Sequence, residues 1–140
     1  AIDFKSFRAA PKEKPYHPLH AYAQSKLCNV LFTLEFARRF PSIKANCLHP
    51  GLVRTHFGNK HAPWKIRLLW WILKPLMRSA GSGASTSVYL ATSPEVKQVT
   101  GRYFDDHQCP RKPALAALDT GLANQLWDYS MQVCDLSYDL

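Results

Sequence analysis

A long apolar-periodic run, residues 19–40, is stopped by Pro41 and followed by seven alternating residues that close on Pro50 and Gly51. Few architectures accept that order. Within "LHAYAQSKLCNVLFTLEFARRF", Leu27, Val30, Leu31, Leu34 and Phe36 recur at helical spacing, so one face of a helix meets a core. In "IKANCLH", residues 43–49, Ile43, Ala45, Cys47 and His49 alternate with Lys44, Asn46 and Leu48, the period of a short, mostly buried strand. A helix feeding a short buried strand is the unit from which α/β proteins are built.

The remaining chain repeats the unit. "APWKIRLLWWILKPLMR", residues 62–78, is apolar nearly all round; Pro63 suits a first helical turn and Pro75 kinks or ends the helix. "GSGASTSVYLATSPEV" opens on a Gly/Ser cap signal and stops near Pro94, a helix of about three turns. "GRYFDD", residues 101–106, is a second short strand. Leu122, Leu126, Tyr129 and Val133 space out a last helix behind Asp119, a good N-cap. Pro11, Pro15 and Pro18 keep residues 1–18 a loop. Helix, strand, long loop with helix, helix, strand, helix is the alternation of a parallel α/β sheet. Two strands make a poor sheet, however, since independent stability asks for at least about three. The chain therefore reads as the back half of a larger sheet, and its start on Ala1 fits a processed or partial product.

Composition narrows the function. A length of 140 residues means one domain, and 46% apolar with 20% charged residues excludes a disordered chain. No secretory apolar region opens the chain. Cys28, Cys47, Cys109 and Cys134 are scattered, with no C-x-x-C spacing, so reduced thiols in an intracellular, cytosol-facing protein are expected rather than a disulfide framework or a zinc site. The net charge of +8 is uneven: residues 1–78 hold 14 Lys/Arg against 3 Asp/Glu (+11), and residues 79–140 hold 4 against 7 (−3). A cationic first half suits phosphate ligands or anionic lipid; nucleic acid is set aside, because no reader motif accompanies the charge.

Chemistry enters at Tyr22 and Lys26. Residues four apart share a helix face, so both can point into one cleft. A free phenol, with a pKa of about 10, is a poor acid or base at neutral pH, and a neighbouring ammonium favours phenolate. With six tyrosines and 18 basic residues, roughly one such pair is expected by chance, so the pair alone is a weak signal. Its company is what counts. "HPGLVRTHF", residues 49–57, turns sharply at the strand's C-terminal end, where open parallel sheets bind ligands, and Thr55 follows on the loop.

"YAQSKLCNVLFTLEFARRF…CLHPGLVRTHF", with "GRYF" and "LWDYS" in order behind it, resembles the short-chain dehydrogenase/reductase superfamily, in its retinol-dehydrogenase-like branch, across nearly the whole chain. The resemblance implies the C-terminal half of a Rossmann-type doubly wound parallel sheet, incomplete here, as one domain over 1–140. It implies an NAD(P)-dependent oxidoreductase, NADP being slightly favoured over NAD. Tyr22 would exchange a proton with the substrate oxygen, and Lys26 would tune Tyr22 and bond the nicotinamide ribose. Pro50, Gly51, Val53 and Thr55 would line the nicotinamide and phosphate side of the cofactor. The family's glycine-rich first turn, its residue choosing between NAD and NADP, its central-strand asparagine and its catalytic serine belong before Ala1. Ser6, in "FKSFR", is not that serine, and the 140 residues alone are expected to be inactive.

The family's variable substrate segment corresponds to residues 62–79. In a helix, Arg67, Lys74 and Arg78 fall in a stripe of roughly 40°, leaving the rest to Trp64, Leu68 and Trp71. Three readings stand: a lid over an apolar substrate such as a retinoid or lipid aldehyde, a peripheral helix in lipid headgroups of an organelle membrane, or a helix packed on its own core or another subunit. The run is shorter than the roughly 20 residues that span a bilayer. No metal site is expected, since His17, His20, His107 and Cys109 complete no ligand set. His49 is expected to pack at the strand end, Cys28 and Cys47 to be buried and unreactive, and Asp105 and Asp106 to face opposite ways. The competing function is a truncated, inactive interaction or membrane-docking module derived from the same fold. The oligomeric state is not legible.

Overall fold

Pro18 occupies a first helical position, where its missing N–H costs nothing, and helix α1 follows over Pro18–Arg39. The computed structural model describes residues 2–7, 17–54, 64, 71 and 77–136. Phe40 closes α1 by donating its N–H to the Phe36 carbonyl, Pro41 cannot extend it, and Arg38 and Arg39 suit the negative end of the helix dipole. Sequence periodicity placed this helix to within a residue or two. Helix α2 spans Ala80–Thr92 and is capped by the Ser79 hydroxyl, which accepts from Ser82 N–H at 3.1 Å. Helix α3 spans Thr120–Val133, and its cap is the expected Asp119, accepting from Leu122 N–H at 2.9 Å.

Three strands of two residues each, β1 (Cys47–Leu48), β2 (Tyr103–Phe104) and β3 (Pro110–Arg111), form a sheet in the order β1-β2-β3. β1 and β2 run parallel, as Cys47 N–H bonds the Arg102 carbonyl and His49 N–H the Phe104 carbonyl. β2 turns back into β3 through residues 105–109, so the sheet is mixed. β3 was not foreseen, and the first two strands are shorter than their alternating patterns suggest. Side chains explain the shortening at residues 45 and 46. Ala45 N–H donates to Thr100 Oγ1 at 3.0 Å, Asn46 Nδ2 donates to the Val99 carbonyl at 2.8 Å, and Asn46 Oδ1 accepts from Arg102 N–H at 3.0 Å. Side-chain groups there take partners that a regular ladder would use.

The chain divides into two units: Ala1–Cys47, Val99–Tyr103 and Lys112–Leu140 form the first, Leu48–Gln98 and Phe104–Arg111 the second. In the first unit α1 packs on α3. Ile2, Leu31, Ala123 and Leu126 make its core, with Phe4, Leu27, Cys28 and Leu122 against it. Phe32 stacks on Trp127 with ring centroids 5.0 Å apart, and Phe36 and Phe40 close around the same indole. In the second unit, Val53 and Arg78 form a parallel bridge, and buried Thr86 on α2 donates its hydroxyl to the Asp105 carbonyl at 3.1 Å. Phe104 and Val96 are buried in this unit. Among the described residues no helix is long and apolar enough to cross a membrane.

Candidate functional site

Tyr22 and Lys26 lie in the second and third turns of α1, on the side of the helix opposite its buried Gln24, Leu31 and Glu35. Their four-residue spacing brings them onto one face, and Lys26 Nζ stands 5.3 Å from the Tyr22 ring centroid. Both are exposed, Tyr22 by 52%. A phenol and an ammonium side by side at a surface can exchange a proton with a ligand and hold it by hydrogen bonds.

The proline–glycine bend belongs to the second unit. Gly51 has φ +75°, a backbone region open mainly to glycine, and donates its N–H to His49 Nδ1 at 3.0 Å. His49 is exposed, so it serves as an acceptor for the bend rather than packing at the strand end as expected. A Cβ on Gly51 would come within 2.6 Å of Asp106 Oδ2, and one on Gly83 within 2.5 Å of Val53 Cγ2. Both glycines are therefore there for close approach. Arg78 holds the segment from the other side: its N–H donates to the Leu52 carbonyl and its carbonyl accepts from Arg54 N–H, each at 2.9 Å. The Arg78 guanidinium donates to Asp106 Oδ2 at 2.7 Å and to Ser82 Oγ at 3.0 Å. That cation beside Asp106 holds its carboxyl below the ordinary carboxylate range.

Asp105 works separately from Asp106, but not through strand alternation, since β2 ends at Phe104 and both residues lie beyond it. Its Oδ1 accepts from His107 and Cys109 N–H at 2.9 and 3.0 Å and its Oδ2 from Arg111 Nε at 2.6 Å, which pulls its pKa down to about 2. The four cysteines are free thiols; Cys28 and Cys47 are half-buried rather than fully buried, and burial pushes the Cys47 thiol up to about 11 and raises Cys28 as well. Trp64 and Trp71 are 69% and 71% exposed. Thr55 and Leu68 lie outside the described residues, as does most of 62–79. Sequence reasoning missed Arg78, Gly83 and Asp106, because no spacing rule links positions so far apart.

No family model matches the chain. It is 42% identical over 123 residues to retinol dehydrogenase 14 of Homo sapiens, covering 84% of this chain and 36% of that protein. It is 36% identical over 124 residues to the chloroplastic short-chain dehydrogenase TIC 32 B of Brassica napus, covering 86% of this chain and 38% of that one. The chain is related to the retinol-dehydrogenase-like short-chain dehydrogenases. It spans less than two fifths of the length of either relative. The crystal structure of an uncharacterized protein from Mycobacterium paratuberculosis shares its fold, with a TM-score of 0.69 at 24% identity, covering all of this chain and 47% of that one.

Proposed function

We propose that the chain is the C-terminal half of a Rossmann-type short-chain dehydrogenase/reductase. It would supply the proton-transfer group and the nicotinamide-side loop of an NAD(P)-dependent oxidoreductase acting on an apolar alcohol or carbonyl compound, of retinoid or lipid-aldehyde kind. The observation carrying the reading is Lys26 Nζ poised 5.3 Å from the Tyr22 ring centroid on an exposed helix face. Tyr22 Oη gives its proton to the carbonyl oxygen during reduction and takes one from the alcohol during oxidation. Lys26 favours the negative charge that builds on the phenol oxygen as that proton leaves. When bound beside Tyr22 and Lys26, a nicotinamide would supply or accept the hydride, chemistry that no side chain offers. The donors present fit its ribose end: Lys26 offers three N–H groups and Tyr22 one O–H, both open to solvent. Pro50, Gly51, Val53 and Thr55 would lie along the cofactor, with NADP ahead of NAD. The segment 62–79 would cover the apolar substrate and touch an organelle membrane from the cytosolic side.

The test uses the protein that carries this chain. Tyr22→Phe is expected to lower kcat by about 100-fold or more while NADPH affinity stays within about twofold. Lys26→Ala is expected to harm both turnover and affinity. A Tyr22→Phe enzyme working at close to the normal rate rejects the assignment.

A further inference from the structure

Beyond the local bond from Gly51 N–H to His49 Nδ1, the bend at Pro50 and Gly51 is held by residues distant along the chain. Three elements of the second unit converge on it, and Arg78 is common to two of them. Through its backbone Arg78 bridges to Leu52 and Arg54, and through its guanidinium it reaches Asp106 and Ser82 at the start of α2. It also donates to the Asp106 carbonyl, so one arginine fixes both main chain and side chain of that residue. Asp106 in turn stands against the Gly51 α-carbon, where a Cβ would collide with its carboxylate. The third contact is Val53 against Gly83 on α2. The Arg78 and Asp106 side chains are only 24% and 22% exposed, which limits screening of the pair by solvent.

We propose that Arg78 and Asp106 are positioning residues: their ion pair sets the backbone of residues 51–54 in the conformation that receives the nicotinamide–phosphate side of a dinucleotide. The inference rests on the reading of this loop given under Proposed function. The physical case is that a glycine at positive φ is free to take several conformations. A charge-assisted bond beside it selects one before any ligand arrives. Preorganisation of this kind lowers the ordering cost of binding and leaves the chemical step alone. Neither residue needs to touch the reacting atoms.

The experiment compares wild type, Asp106→Asn, Arg78→Ala and Arg78→Lys in the protein that carries the chain. Asp106→Asn keeps the shape beside Gly51 and removes the charge, so it is the variant least prone to misfold. Amide exchange of Arg54 and Arg78, whose N–H groups are bonded across the bridge, reads the anchoring directly. NADPH titration and steady-state kinetics read its consequence. Asp106→Asn and Arg78→Ala are expected to speed exchange at both amides and to raise Kd and KM for NADPH by about tenfold. The expected kcat at saturation lies within about twofold of wild type. Arg78→Lys, which keeps a cation for Asp106, is expected to recover part of the affinity. Unchanged exchange overturns the anchoring. Faster exchange with unchanged NADPH affinity overturns the positioning role while leaving the proposed function standing. A wild type that binds neither NADPH nor NADH overturns both.

Discussion

Glu35 is the residue that the helical pattern of α1 would never place inside, yet its side chain is 1% exposed. The carboxylate accepts from Arg38 Nη2 at 2.6 Å and Nε at 2.9 Å, and from Arg39 Nε. Asn124 Oδ1 accepts from both arginines at 3.0 Å, and the Arg39 guanidinium lies 5.0 Å from the Trp127 ring centroid. Bonding to Arg38, then to Arg39, outweighs burial and lowers the Glu35 pKa from its ordinary 4.5. A carboxyl depressed on folding stabilises the fold above its unfolded value, and that stability is lost as pH falls through the folded value. Melting temperature is therefore expected to drop below about pH 4.5, and Glu35→Gln should flatten that acid limb. At neutral pH the same change should cost about 2 kcal/mol in denaturant unfolding, less than a wholly buried pair because Arg38 is 57% exposed. Asp105 acts in the same direction between its ordinary 3.8 and about 2, so amide exchange at Cys109, whose N–H is bonded to its carboxylate, is expected to quicken as pH falls through that range.

Elements differ in how far local signals specify them. Helices α1 and α3 follow from apolar spacing and stop signals because one turn of chain contains the interactions that decide them. The apolar face of α1 finds its partner in α3, where Leu31 is completely buried. Leu31→Ala is expected to cost about 3 kcal/mol by thermal or urea unfolding, through lost burial and the cavity left behind. Asp119→Ala removes the acceptor for Leu122 N–H at the start of α3 and should cost about 1 kcal/mol in the same assay. Strands were legible only in outline. Their alternation marked where β1 and β2 lie, but Asn46 and Thr100 take up main-chain partners over distances of 53 to 57 residues, and no local pattern announces such bonds.

At the scale of the molecule, the charge of +8 and the exposed Trp64 and Trp71 bear on the proposed peripheral membrane contact. Cosedimentation with vesicles of anionic phospholipid is expected to exceed that with neutral vesicles, and to weaken as salt screens the attraction. The double change Trp64→Ala and Trp71→Ala should reduce binding at low salt by about tenfold or more. Retention of full binding by that variant removes the two indoles from the contact.

What could be read from the string of 140 residues was whatever a few consecutive residues settle: helix spans, the Asp119 cap, the proline stops, and the shared face of Tyr22 and Lys26. Those outcomes depend on forces acting within a turn or two. The support of Gly51 by Asp106, the hold of Arg78 on Asp106 across 28 positions, the bonding of Asn124 to the arginines that pair with Glu35 and the pairing of β3 came from folding alone. Their partners are far apart along the chain, and spacing carries no information about which distant surface will arrive beside a given side chain.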